Sequence, residues 1–139
     1  MADAQADCEA LLGLVMPFAE QLLAKHETFH PIGGAIASDG ELIPVAVYDG
    51  REDAPAEDII AHLKEALLEG AGGGRYIATA LAYDSTINLP AGGESNAVTV
   101  LLDHRDDFSV VVYFPYRVAD GTVSFDPSFH QDGESEIFR

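Results

Sequence analysis

Residues 29–48 constrain the fold of this 139-residue chain more than any other stretch. Phe29-His30-Pro31-Ile32-Gly33-Gly34-Ala35 runs through Asp39-Gly40-Glu41 to Val45-Ala46-Val47-Tyr48, two apolar runs about a turn. Asp-Gly is a strong two-residue hairpin signal because both residues tolerate positive φ. Pro44 lies in the second run and cannot donate to a ladder, so that strand belongs at a sheet edge. Gly33-Gly34 opens the first strand without side chains, which predicts a bulge or a close approach of other backbone.

Helices flank the hairpin in the sequence. Over residues 4–28, Cys8, Leu11, Leu12, Val15, Phe18 or Ala19, Leu22 and Leu23 recur at three- and four-residue steps. Pro17 interrupts this helix and should kink it or divide it near Met16. A second helix is expected over about 54–69, with Pro55 in its first turn and Asp53, Glu57 and Asp58 at the positive end of its dipole. Ile59, Ile60, Leu63 and Leu67 form its buried stripe, Gly70 stops it, and Ala71-Gly72-Gly73-Gly74 follows as a flexible connector.

From Arg75 onward the chain alternates as strands, over 75–83, 97–103, 108–114 and 122–125. Ile77, Leu81, Val98, Val100, Leu102, Phe108, Val110, Val112 and Phe114 are expected on one face. Tyr76, Ala78, Ala80, Ala82, Leu101, Val111 and Tyr113 are expected on the other. A sheet apolar on both sides is covered on both. Pro115 predicts a bulge or strand end, with a separate short pairing over 116–118. The fold class is α+β: an antiparallel sheet of five to six strands with two main helices, in the order α-β-β-α-β-β-β-β. One domain spans 1–139, and 131–139 reads as a mobile tail.

Composition narrows the function. Twenty-four acidic residues against seven basic ones give a formal charge of −17, spread along the chain. That surface repels phosphate backbones and disfavours nucleic acid. It would attract a basic protein, although solubility alone also accounts for it. Cys8 is the single cysteine, which excludes an intrachain disulfide. With acidic residues near the N-terminus and no run of about 20 apolar residues, the chain is expected to be cytoplasmic and not a membrane protein.

The order of helix, hairpin, helix and antiparallel meander resembles the roadblock and profilin-like arrangement. The pattern Phe29-x-Pro31-x-Gly33 with Asp39-Gly40-Glu41 and Val47-Tyr48 also resembles small uncharacterised bacterial proteins. Together these resemblances imply a homodimer or interaction module, and carry no catalytic residues or cofactor to this chain.

Few residues offer chemistry. Gly70-Ala71-Gly72-Gly73-Gly74-Arg75 follows a helix and precedes a strand, the reverse of a phosphate loop. Asp103, His104 and Asp106 are candidate metal ligands, set in a polar turn that reads first as a solvated hairpin tip. His130, Asp132 and Glu134 are a weaker set in the tail. His30, with Gly33 and Gly34, is the candidate ligand-binding corner. Three functions follow, in this order: a non-enzymatic interaction module acting as a homodimer; an acidic, immunity-like inhibitor of a basic toxin or nuclease; and a small-ligand binder or enzyme using His30, Asp84 or the 103–107 turn.

Overall fold

The computed structural model describes residues 4–26, 31–45, 55–106, 108–133 and 137–138. Among these, two helices and seven strands follow in the order α1 (Ala4–His26), β1 (Ile32–Ala37), β2 (Leu42–Val45), α2 (Ala56–Gly72), β3 (Tyr76–Asn88), β4 (Glu94–His104), β5 (Phe108–Ala119), β6 (Thr122–Phe125) and β7 (Phe129–Asp132). The expected α+β order is the order found, with one strand more. All pairings are antiparallel, and the sheet runs β2-β1-β3-β4-β5-β6. The Pro44-bearing strand is at the edge, as its missing donor requires.

Helix α1 buries Cys8, Leu11, Val15, Ala19 and Leu23, a stripe at three- and four-residue steps. Ala19 takes the inward position and Phe18 points out, 47% exposed. Pro17 neither ends nor divides the helix. It and Gly13 lie on the exposed side, where water can satisfy the carbonyl that the proline leaves without a donor.

The two helices cover opposite faces of the sheet, and β1 shows why two glycines stand together. A Cβ on Gly34 would sit 3.0 Å from Leu14 Cδ2 and 3.3 Å from Val15 Cγ1, both on α1. A Cβ on Gly33 would sit 3.3 Å from Leu63 Cδ2 of α2 and 3.1 Å from the Val45 carbonyl. The expected close approach is therefore helix packing, from both sides. The bulge falls later, where the β1–β3 register shifts at Ile36/Ala37. Beyond it Tyr76 joins the α2 side and Ile77 the α1 side.

Register corrects the expected faces. Ala80 stands opposite Leu102, and Ala82 opposite Val100, so the alanines of β3 share the α1 face with the large side chains of β4 and β5. Leu81 stands opposite Leu101 on the α2 face. Each strand's alternation was legible, but the phase between strands is set only by pairing.

Turns and ends also differ in detail. At 38–40 only Gly40 has positive φ (92°), and Ala37 pairs with Glu41 around a three-residue loop. The two-residue turn with both central residues at positive φ is Asp120-Gly121 (51° and 75°), joining β5 to β6. Helix α2 runs through Gly70, whose missing side chain makes room for the Tyr76 ring. It ends in a Schellman motif, with Arg75 N–H donating to the Gly70 carbonyl (2.9 Å) and Gly74 N–H to the Ala71 carbonyl (3.1 Å). The glycine connector is thus a hydrogen-bonded cap. Pro55 is the residue before α2 instead of lying in its first turn.

Strand β5 does not break at Pro115. Residues up to Pro115 pair with β4, and Tyr116 onward pairs with β6, so the proline marks a change of partner inside one strand. The described residues of the 131–139 segment lie against the fold. β7 pairs with β5 from Val110 to Tyr113, and Ile137 is buried against α2.

Gly34→Val should destabilise the fold by about 1–3 kcal/mol through overpacking, measured by urea unfolding. Gly13→Ala, where nothing lies within 4 Å, should stabilise it by up to about 1 kcal/mol.

Candidate functional site

The candidate residues of the sequence separate in space. His30 lies outside the described residues. Gly33 and Gly34 are buried beneath the two helices, which fill the space a ligand would need. Asp103 and His104 are adjacent in β4 and therefore point to opposite faces. Asp103 turns to the α2 side and His104 to α1, so they cannot share one ion. Among the described residues no three His, Cys, Asp or Glu side chains gather as a metal site. His130 and Asp132 lie in β7, opposite Val112 and Val110, and Glu134 is outside the described residues.

His104 is no solvated tip. It is fully buried, and both ring nitrogens are engaged. The Asp106 backbone N–H donates to Nδ1 (3.0 Å), so Nε2 carries the proton and donates to Asp7 Oδ2 (2.8 Å). The bond ties the first turn of α1 to the end of β4, nearly a hundred residues on. An imidazole so placed has no free nitrogen for a substrate. Cys8, one residue from Asp7, has its thiol pushed up to about 12 by burial first and then by the charges of Asp7 and Asp103. It is protonated at neutral pH and a poor nucleophile. Asp84, the other candidate acid, accepts from Tyr116 Oη at 2.5 Å, a bond between β3 and β5 that passes over β4. Burial, then this bond, raises the Tyr116 hydroxyl.

What the fold does assemble is a cleft of about 240 Å³ on the α2 face, between α2, β3–β5 and the segment around β7. Thr79, Asp103 and Ser109 stand directly opposite one another across β3, β4 and β5. Thr79 is 1% and Asp103 5% exposed. The next row on this face is Leu81, Leu101 and Val111. Lys64 lines the cleft from α2, and Gln131 from β7. Gly133 lets the chain pass close to Ser109: its N–H donates to the Ser109 carbonyl at 3.1 Å, and a Cβ there would meet Ser109 Oγ at 2.5 Å.

Of this row only Asp103 is a candidate by sequence, as a metal ligand. A signal was present: Thr79, Asp103 and Ser109 each interrupt an apolar alternation on their own strand. Only register shows that the three interruptions are one feature.

No family model, curated protein or solved structure matches this chain.

Asp7→Ala should cost about 1–3 kcal/mol by orphaning a buried N–H donor, and Asp7→Asn, which keeps an acceptor, less; chemical denaturation reads both. The raised thiol predicts a pH dependence. Cys8 favours the folded state below its ordinary pKa of 9.0 and loses that contribution as pH rises toward about 12. Stability should therefore fall across this window, and less steeply in Cys8→Ala.

Proposed function

We infer that this chain is a non-enzymatic binding module whose partner is a basic protein. The observation that carries this reading is the uneven covering of the sheet. Among the described residues, α1 reaches from β2 across to β6, whereas α2 packs on β1 and β3. Beside α2, Leu101, Val111 and Tyr113 remain half-buried on the same face. A mixed apolar and aromatic patch of this kind suits the core of a protein interface.

Charge selects the occupant. A second copy would bring its own −17 to the contact, whereas a basic protein gains in both attraction and association rate. The homodimer expected from the sequence is therefore the weaker form of the same idea, and the acidic inhibitor of a basic protein the stronger. The engaged nitrogens of His104 and the protonated Cys8 support binding over catalysis.

The expected solution state is a monomer by light scattering at micromolar concentration. A purified basic partner should bind with an on-rate that falls as salt rises, and Tyr113→Ser should weaken it about tenfold. A stable dimer that Tyr113→Ser dissociates would overturn the choice of partner, as would a partner with salt-independent association.

A further inference from the structure

The cleft beside α2 changes character over two residues of strand. One row, Leu81, Leu101 and Val111, is apolar, and the next toward the β4–β5 turn, Thr79, Asp103 and Ser109, carries two hydroxyls and a carboxylate. Two residues of strand advance about 7 Å, a span that the aliphatic stem and charged head of one arginine or lysine can cover. Such side chains lay their methylenes on apolar surface and carry the charge to a polar end.

We propose that the cleft is an anchor pocket for one cationic side chain, its stem on Leu81, Leu101 and Val111 and its head at the Thr79–Asp103–Ser109 row. The proposal rests on the preceding reading for the kind of protein that supplies the side chain, and on the cleft alone for its chemistry. A guanidinium matches the row well, since its N–H groups form a fork that carboxylate and hydroxyl oxygens can accept. The chain's net charge of −17 adds long-range attraction. Lys64 is the one cation lining the cleft among the described residues. It opposes a second cation there, so its side chain sets how tightly the pocket closes on a partner's residue. Interface hot spots have this form, a buried charged or aromatic anchor in a fitted pocket, with arginine prominent among the anchors.

The test is an NMR titration of the full-length, isotope-labelled chain with three probes: N-acetyl-arginine methylamide, N-acetyl-lysine methylamide and N-acetyl-norleucine methylamide. The two cationic probes should produce saturable shifts at the amides of Thr79, Asp103 and Ser109, and the norleucine probe should not. Asp103→Asn should weaken the cationic probes by about tenfold or more, and Lys64→Met should tighten them several-fold. Should Asp103→Asn fail to fold, Ser109→Ala and Lys64→Met carry the same test, with weaker and tighter binding expected. Equal binding of the norleucine probe, weaker binding in Lys64→Met, or shifts confined to other acidic surface would overturn the proposal. The two readings fail separately. Probes that bind the cleft when no basic protein binds the chain would uphold the pocket and sink the proposed function. A basic protein whose binding ignores Asp103→Asn and Lys64→Met would do the reverse.

Discussion

Both helices of this protein seat on one pair of residues. Gly33 and Gly34 turn to opposite faces of β1, and each lies within van der Waals reach of a leucine or valine from the helix above it. Any side chain there would lift a helix from the sheet and open the core beneath it. Ala80 and Ala82, on the next strand under α1, extend the same logic: small residues let a 23-residue helix lie close to the strands. The large side chains of β4 and β5 then close the space farther out.

A second constraint ties α1 to the β4–β5 turn. Asp7 and His104 meet at 2.8 Å, and the imidazole also accepts the Asp106 N–H, so the start of α1 is referenced to the β4–β5 turn. Polar groups this deep cost free energy unless every partner is supplied, and here both ring nitrogens are supplied. A histidine that the sequence offered as a metal ligand thus serves the architecture. The α2 face is arranged otherwise, with a shorter helix, a half-buried apolar patch and a row of oxygen-bearing side chains lining a cleft.

Local signals were read correctly where the backbone chemistry is itself local. Pro44 cannot donate a ladder bond, and its strand is at the edge. Pro115 marks a change of strand partner, because the same missing donor falls where one ladder ends and another starts. Asp39-Gly40 and Asp120-Gly121 are both turns, yet with different geometry, since loop length is settled by which flanking residues pair. Gly70 looked like a stop and is an interior packing position, because what touches it is Tyr76, from the strand that follows.

The sequence by itself determined the order of the two helices and the first six strands, the apolar stripe of each helix, the edge strand and the strongly acidic composition. These follow from periodicity, from proline's missing donor and from simple charge, all properties of neighbouring residues. Tertiary structure alone decided the phase of one strand against the next. That phase brought the alanines of β3 under α1, sent Asp103 and His104 to opposite faces, and lined up Thr79, Asp103 and Ser109 as one row. A shift of one residue reverses every side chain in a strand, so a site built across three strands exists only once their pairing is set.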